Sequence, residues 1–478
     1  MDSHPRKDLP ALEETLDFVR LAAGDYLEGL SESPVRTPEA ETAAKSLGGP
    51  LPEDGDGALT AVTELTDAGR AGAIRSAGPR FFHFVVGGAT PAGLGGDWLT
   101  SVLDQNVGLW AGSPFGAEVE TIALDWLKDL FELPSEWGGV LVTGATMANF
   151  VGLACARRWW ALEQGVDVDD EGLHGLGPLP VFSSGYIHAS ATKSLGMLGM
   201  GRKRMRIVSR DDRGRLDLEA LESGLASLGG APSILLANAG EVNAGDFDPV
   251  PQMIELASKH NAWVHVDGAF GLFSRLVPEA RRLTDGIEGA HSVISDGHKW
   301  LNVPHDCGFA FVRDASLLPG VFGTSAAYYV GGGEAQPNFA LLGPESSRRA
   351  RALAVWSTLR AYGRNGYRAM VEGHLALARR LAAQVAEADD LELLADVTLN
   401  IVCFRYRPPG MAEAELDDLN RRLGEAVLED GRVYFGTTSF EGKVAFRPAI
   451  VNYRTTEADI DLLVNVVREL GAEAVATA

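Results

Sequence analysis

One lysine in this sequence has the surroundings of a reactive amine. Lys299 lies in the segment SDGHKW, directly after a short apolar run and between His298 and Trp300. A lysine held beside aromatic groups and away from bulk water loses its proton more readily, and a neutral amine can form an imine with an aldehyde. On this segment alone, an ordinary exposed lysine in a loop explains the pattern equally well.

A carboxylate ends another apolar run. Asp267 lies in the segment HVDGAFG, after residues that are expected to form a buried strand. A buried carboxylate needs a cationic partner to offset the loss of its hydration. The protonated ring nitrogen of a flat cofactor is such a partner, and the small Ala269 would let the ring approach. The alternative is an aspartate that caps a turn at the end of a strand.

Two further segments contribute a phosphate site and an imidazole. TGATMANF (143–150) runs from a strand into a helix, with Gly144 for a tight turn and the Thr146 hydroxyl near free backbone N–H groups. The N-terminus of a helix binds phosphate. His188 follows a strand that ends near Ser183, and its ring could stack on a cofactor and carry protons. Taken singly, both signals are weak, since many strand-to-helix turns look alike and a lone histidine is more often structural.

The order of these four elements is more specific than any one of them. A phosphate turn, an imidazole, a carboxylate and a lysine each follow a strand, and Asp267 and Lys299 are 299 − 267 = 32 residues apart, about one strand–helix–strand unit. Together they match the aldehyde, ring nitrogen and phosphate of pyridoxal phosphate (PLP). The sequence therefore predicts a PLP enzyme in which Lys299 holds the cofactor as a Schiff base.

A mainly parallel sheet of seven strands would position these residues. Short apolar runs alternate with helical segments, which is typical of a parallel sheet buried on both faces. Ligands bind outside the carboxyl ends of such strands. The predicted strands are 140–143, 181–183, 207–208, 234–237, 263–266, 293–295 and 309–312.

The chain is expected to form three parts. Residues 1–75 are polar, with helical patches, and are expected to pack on another surface. Residues 76–365 would form the large α/β domain that binds PLP. Near YGRNGY (362–367) the pattern changes, and residues 366–478 are predicted to form a small α+β domain with helices, a strand-like segment at 399–404 and a further segment at 444–452.

Composition limits the partners. A net charge of −23 argues against nucleic acid or an anionic membrane surface as the main partner. Cys155, Cys307 and Cys403 are far apart without CxxC spacing, so neither a disulfide framework nor a metal site is expected. No apolar run looks like a signal peptide or reaches the length of a membrane span, so we expect a cytoplasmic protein.

Several segments resemble the group II PLP-dependent amino-acid decarboxylases, a family that includes aromatic L-amino-acid and glutamate decarboxylases. The resemblance covers nearly the whole chain after about residue 75 and implies the aspartate aminotransferase fold, PLP fold type I. The segments that carry it are GPRFFHF (78–84), where Gly78 replaces the family's His, SP with the following helix (113–127), DGHKWLNVPHDCGFAFVRD (296–314), SRRARALAVW (347–356) and LNIVCFRYR (399–407).

The resemblance implies roles for single residues. The residues implied to bind the cofactor are Ala145, Thr146, His188, Asp267, Ala269, His298 and Lys299. Of these, His188 would stack on the ring, and Ala145, Thr146 and His298 would bind the phosphate. Tyr328 falls where the family has a loop tyrosine thought to protonate the carbanion left by loss of CO2, with the adjacent Tyr329 as a competitor. Arg447 matches an arginine of the small domain, and the N-terminal helices imply a homodimer with shared active sites.

One departure from the family leaves the reaction type open. In NAGEVNAGDFDP (238–249) the relatives usually have Thr-Thr after the glycine, whereas this chain has Glu241 and Val242. An amino-acid decarboxylase that releases CO2 and an amine is the favoured prediction. Decarboxylation with oxidative deamination to an aldehyde, and transamination or aldol-type cleavage, stay open. A scaffold without cofactor is disfavoured, because Lys299, Asp267 and His188 occur together.

The substrate is predicted to be aromatic or bulky and apolar. Phe81, Phe82, Phe84 and Trp110 lie in segments that line the pocket in relatives, although they could equally belong to the core. A glutamate substrate would need a cationic pocket, which the sequence does not reveal.

Overall fold

The computed structural model describes residues 4–210, 215–325 and 336–476. Its strands form one sheet of seven and one of four. The strands are β1 Gly138–Val142, β2 Val181–Ser183, β3 Met205–Ile207, β4 Ser233–Asn238, β5 Ala262–Asp267, β6 Ser292–Asp296, β7 Gly308–Val312, β8 Leu391–Leu393, β9 Phe404–Tyr406, β10 Thr437–Phe440 and β11 Lys443–Phe446.

The seven-stranded sheet has the order β1-β7-β6-β5-β4-β2-β3. Neighbouring strands from β6 to β3 are parallel, and β7 is antiparallel to both β1 and β6. The predicted mainly parallel sheet of seven strands is therefore confirmed. Because β1 and β6 both oppose β7, the carboxyl ends of β1, β2, β4, β5 and β6 meet at one edge of the sheet.

Helices cover the sheet and hold that edge in place. The α-helices are α1 Leu12–Glu28, α2 Ala58–Gly72, α3 Pro91–Leu103, α4 Pro114–Leu130, α5 Ala145–Leu162, α6 Val168–Glu171, α7 Ala189–Met197, α8 Leu218–Ala226, α9 Val250–Lys259, α10 Leu317–Phe322, α11 Ala352–Glu387, α12 Glu413–Asp430 and α13 Glu457–Ala476. Helix α5 packs directly on β5, β6 and β7, and α11 packs on α3 and α4. All residues of β4, β5, β6 and β7 are buried, which explains their almost continuous apolar sequence.

The smaller sheet is antiparallel, with the order β10-β11-β9-β8. It packs with α11, α12 and α13 around a core of its own. Helix α11 crosses the predicted domain boundary at residue 365 and contains a break at Gly363, where φ is +57°. The division into three parts stays a prediction.

The strand predicted at 399–404 is wrong in its bounds. Regular pairing covers only 404–406, whereas the residues before it make single contacts with the opposite segment, such as the bridge between Ile401 and Ala449. Pro448 lies in that opposite segment and has no N–H group, so a regular ladder cannot continue through it. The further segment at 444–452 contains the end of β11, which covers 443–446.

Apolar side chains are exposed on the N-terminal helices and on α3. They include Leu9, Leu12, Leu16, Leu21, Leu65, Trp98, Leu99, Val102 and Leu103. Within the described ranges, no helix combines the length and the apolar character that crossing a membrane requires.

Candidate active site

A cavity of about 450 Å³ opens at the carboxyl edge of the large sheet. Its lining consists of Phe84, Val85, Thr143, Gly144, Ala145, Thr146, Met147, His188, Ser190, Val242, Phe270, Asp296, His298, Lys299 and Arg447. Five of the seven residues predicted to bind the cofactor are therefore brought together around one space. Asp267 and Ala269 are not among the lining side chains and lie directly behind it, at the end of β5.

The loop after β6 positions Lys299. The Asn302 side-chain amide donates to the carbonyls of Lys299 and Trp300 at 3.2 and 3.0 Å. The backbone N–H of Gly87 donates to the His298 carbonyl at 3.0 Å. A Cβ atom on Gly87 would lie 1.9 Å from the Lys299 carbonyl oxygen, so only glycine fits against this loop. The Lys299 Nζ atom lies 5.5 Å from the centre of the Phe270 ring.

Asp267 is buried, with only 6% of its surface exposed. Asn149 Nδ2 donates to its Oδ2 atom at 2.9 Å, and the Ala269 N–H donates to Oδ1 at 3.1 Å. Both donors are uncharged, and among the described residues no basic side chain forms an ion pair with Asp267. Desolvation lowers the pKa of His188 overall, and the negative charge of Asp267 acts in the opposite direction. This charge is therefore close enough to the cavity to act on a group there. The carboxylate therefore suits a cationic ring nitrogen placed in the cavity.

The N-terminus of α5 forms another wall. Gly144 precedes the helix with φ of +152° and has no side chain with which to cap the first turn. The first backbone N–H groups of a helix have no partner within the helix, and the helix dipole favours an anion there. Because Ala145 and Thr146 begin this turn and line the cavity, the wall suits a phosphate group.

Two polar atoms beside this helix end lack a well-formed hydrogen bond. His298 Nδ1 lies 3.1 Å from Asp296 Oδ1, yet both atoms are buried and neither has a partner of good geometry among the described residues. His305 stacks on the His298 ring at 4.0 Å between centroids. Burial lowers the pKa of His298 to about 3, and the charges of His305 and Lys299 act in the same direction. A bound phosphate would offer an acceptor to the His298 ring, whereas Asp296 Oδ1, itself an acceptor, needs a donor.

His188 caps the N-terminus of α7 and faces the cavity. Its Nδ1 atom accepts from the Ser190 N–H at 3.2 Å and lies 2.7 Å from Ser190 Oγ, so the ring orientation is held by two contacts. Water reaches the ring from the cavity, but the surrounding protein lowers the pKa of His188 by desolvation. The neutral ring is suited to stacking against a flat cofactor.

The departure at Glu241 and Val242 has a structural explanation. The Glu241 carboxylate accepts from the backbone N–H groups of Asn243, at 2.7 Å, and Ala244, and so caps its own turn. It is buried and does not line the cavity, whereas Val242 does. The position next to the cavity thus has the apolar side chain of Val242 and no hydroxyl.

The sequence analysis assigned no chemical role to Arg447, which is a cation. It lines the cavity, and its buried Nη1 atom has no hydrogen-bond partner among the described residues. Burial lowers the pKa of Arg447, while the nearby charge of Glu241 raises it. An unsatisfied guanidinium nitrogen at a cavity wall suits an anionic ligand group.

The residues present therefore fit PLP. The cavity has a lysine amine for the aldehyde, a buried carboxylate for the ring nitrogen, a helix N-terminus for the phosphate and an imidazole for the ring face. Tyr328 and Tyr329 lie outside the described residues, so their predicted role stays a prediction. Sequence reasoning missed Gly87, Asn149, Ser190 and Asp296. Two of these lay in segments already singled out, Asn149 in 143–150 and Asp296 two residues before His298.

Replacing Asp296 by asparagine is expected to stabilise the cofactor-free protein at high pH. Burial raises the pKa of Asp296 from 3.8 to about 7, against the lowering by Lys299. The unfolded chain releases this proton at lower pH than the folded protein, so wild-type stability falls as pH rises from about 4 to 7. Asp296→Asn should gain roughly 1–4 kcal/mol at pH 8 and little at pH 4. Thermal unfolding across this pH range tests the prediction, and a gain independent of pH would contradict it.

Comparisons with known proteins identify the family of this chain. The pyridoxal-dependent decarboxylase conserved domain matches residues 52–407. The aromatic-L-amino-acid decarboxylase of Bacillus atrophaeus is 28% identical over 83% of this chain and 82% of its own. The L-2,4-diaminobutyrate decarboxylase of Rhizobium meliloti is 31% identical over 89% and 84%. The crystal structure of Oryza sativa TDC with PLP and tryptamine has a TM-score of 0.89 at 25% identity, covering 99% of each chain. The chain therefore belongs to the pyridoxal-dependent decarboxylase family and is a PLP-dependent lyase.

Proposed function

We propose that this decarboxylase acts on an L-amino acid with an aromatic or bulky apolar side chain and releases CO2 and the amine. We infer this substrate class from the apolar part of the cavity wall. That part consists of Phe84, Val85, Met147, Val242 and Phe270. Apolar walls with a few polar groups are typical of small-molecule sites.

Of the four aromatic residues that the sequence analysis placed near the pocket, only Phe84 lines the cavity. Phe81 and Phe82 are buried in the core, with 5% and 1% of their surface exposed, and do not line the cavity. Phe84 lines it and is 62% exposed, and Trp110 lies outside the lining. The proposal therefore rests on Phe84 and its apolar neighbours.

The residues that we propose to do the chemistry have separate tasks. Lys299 would hold the cofactor aldehyde, and Asp267 would hold a proton on the ring nitrogen. PLP, when bound, accepts the electrons left behind as the carboxyl group departs. The N-terminus of α5, with Ala145 and Thr146, holds the phosphate. His188 covers the ring face, excludes water there and, with Tyr328, is a candidate donor of the proton that Cα takes up.

Arg447 favours a second substrate class. An amino acid with an anionic side chain could place its second charge against the unpartnered Nη1 atom of this arginine. The nearby Glu241 opposes this, because its own negative charge already acts on Arg447. Arg447→Met separates the two classes, since it should abolish turnover of an anionic substrate and leave turnover of an apolar one at a similar kcat.

A panel of amino acids tests the proposed function. The purified protein, loaded with PLP, is given each standard L-amino acid while CO2, amine, aldehyde and ammonia are measured together, with Lys299→Ala as the blank. We expect CO2 and matching amine from an aromatic or bulky apolar amino acid. CO2 with aldehyde and ammonia would instead establish the oxidative alternative. Bound PLP without CO2 from any substrate would overturn the proposal and point to Val242, where the relatives have a hydroxyl.

We also propose that the chain forms a homodimer through the exposed apolar surface of its N-terminal region and α3. Trp98, Leu99, Val102 and Leu103 on α3 are 41–70% exposed, and such an apolar patch marks a protein interface. Residues 1–75 would embrace the second copy, with 76–365 as the PLP domain and 366–478 as the small domain. Sedimentation equilibrium should give twice the chain mass, and a monomer at micromolar concentration would contradict the proposal. The cytoplasmic location stays a prediction from sequence.

A further inference from the structure

A chain of hydrogen bonds lies behind the cavity, in residues to which the proposed mechanism gives no task. Trp263 Nε1 lies 3.0 Å from Ser292 Oγ, and Ser292 Oγ lies 2.7 Å from His265 Nδ1. His265 Nε2 lies 2.8 Å from Asn149 Oδ1. Ser292, His265 and Asn149 have no exposed surface, and Trp263 has only 2%, so no water competes for these contacts.

The indole of Trp263 decides the direction of every bond in this chain. An indole N–H can only donate, so Ser292 Oγ accepts from it. Among the described residues, the remaining contact of this hydroxyl is with His265 Nδ1, so its proton goes to that atom. A neutral His265 then has its proton on Nε2 and donates to Asn149 Oδ1. Burial lowers the pKa of His265 to about 4, so the ring is neutral at pH 7. The Asn149 amide therefore has one possible orientation, with its NH2 group on the opposite side.

That NH2 group faces the two residues next to the cofactor site. Asn149 Nδ2 donates to Asp267 Oδ2 at 2.9 Å and to Ser190 Oγ at 3.1 Å. Because Ser190 Oγ accepts from Asn149, its own proton is available to His188 Nδ1, 2.7 Å away. The Ser190 backbone N–H also donates to this Nδ1 atom. Two donors on Nδ1 leave the proton of neutral His188 on Nε2.

We infer that Asn149 is a positioning residue that fixes the hydrogen-bonding state of both Asp267 and His188. A flipped amide would turn its oxygen toward the Asp267 carboxylate and remove the donor from Ser190. The chain from Trp263 prevents this flip, so Asp267 keeps its side-chain donor and His188 presents an N–H to the cavity. The inference rests on the proposed roles of Asp267 and His188, and it adds residues that act on them from behind.

The tautomer of His265 tests the direction of the chain without any reaction. In cofactor-free protein with labelled histidine, nitrogen NMR should show His265 as the Nε2–H tautomer from pH 5.5 to 9. Trp263→Phe removes the forced donor and should give a mixture of the two tautomers. An Nδ1–H tautomer in the wild type, or a His265 that titrates near pH 6.5, would overturn the inference. Because no substrate is used, this result is independent of whether the proposed function is correct.

Kinetics test the effect on the site. Asn149→Leu keeps a similar volume without hydrogen bonds, and we expect kcat to fall roughly 10- to 100-fold while KM changes less than about 3-fold. Asn149→Thr retains a hydroxyl that can accept from His265 and donate to Asp267, so it should recover most of kcat. An Asn149→Leu enzyme with wild-type kcat, or one whose loss Asn149→Thr does not reduce, would overturn the inference.

A matched variant separates positioning from simple loss of packing. Asn420 in α12 is equally buried and its side chain makes three hydrogen bonds of 2.8 Å, to Tyr406 N, Tyr406 O and Leu416 O. Asn420→Leu should lower the midpoint of thermal unfolding about as much as Asn149→Leu but leave kcat within about 2-fold. Gly152→Ala adds an independent probe, because its Cβ atom would lie 2.6 Å from His265 Cε1 and displace that ring. It should lower kcat with little effect on KM, and an unchanged kcat would count against the chain.

Discussion

Replacing Asp267 by asparagine is expected to lower kcat roughly 10²- to 10⁴-fold, with PLP still bound at saturating concentration. The carboxylate ends β5 with 6% exposure, and both of its hydrogen bonds in the described chain come from uncharged donors. An amide has the same shape without the negative charge, so it cannot keep a proton on the ring nitrogen. The measurement is CO2 release at saturating substrate and PLP, with bound PLP quantified by its visible absorbance.

Asp248 offers a matched control for this variant. It is also a buried aspartate, with 5% exposure, and it accepts from the Asn238 N–H at 2.8 Å and the Leu216 N–H at 3.1 Å. It does not line the cavity. Asp248→Asn should therefore leave the kcat of the folded fraction within a few-fold of wild type, whatever its effect on stability. If Asp267→Asn with bound PLP behaved like Asp248→Asn, the proposed role of Asp267 would be wrong.

The sheet and the position of the site could be predicted because they depend on local patterns. Buried strands are short and almost continuously apolar, and six of the seven appear as such runs in the sequence. The edge strand β3 is largely exposed, and only Ile207 of it fell within the predicted run 207–208. The rule that ligands bind at the carboxyl ends then places Gly144, His188, Asp267 and Lys299 at one edge. The structure brings these residues together because β1 and β6 run in the same direction, on either side of the antiparallel β7.

Other features of the site depend on contacts between segments, and a local sequence pattern does not predict such contacts. Asn149 looks like an ordinary polar residue in a helix, and only the packing of α5 on β5 turns it toward Asp267. Glu241 could be recognised as a departure, but whether it faces the cavity or its own turn depends on the backbone there. Arg447 lies about 150 residues after Lys299 in sequence, so the small domain must dock before both can line one cavity.

Breaking the buried ion pair between Glu120 and Arg348 is expected to cost about 3–5 kcal/mol of folding free energy. The pair is bidentate, with Nη2–Oε1 at 2.7 Å and Nη1–Oε2 at 3.1 Å. Glu120 is completely buried and Arg348 is 3% exposed. Arg348 also donates to the carbonyls of Val107 and Leu141, and the Leu141 N–H donates to Glu120. Glu120→Gln would leave the buried guanidinium without a counter-charge.

Urea unfolding of Glu120→Gln, Arg348→Met and the double variant tests this effect. Because removing both charges leaves neither uncompensated, the double variant should lose less stability than the sum of the single ones. The exposed pair of Arg379 and Glu279, 2.8 Å apart, provides the control, and Glu279→Gln should change stability by less than about 0.5 kcal/mol. Since Leu141 lies three residues before Gly144, Glu120→Gln should also weaken PLP binding. A Glu120→Gln protein within about 1 kcal/mol of wild type would mean that water reaches the arginine, contrary to its burial.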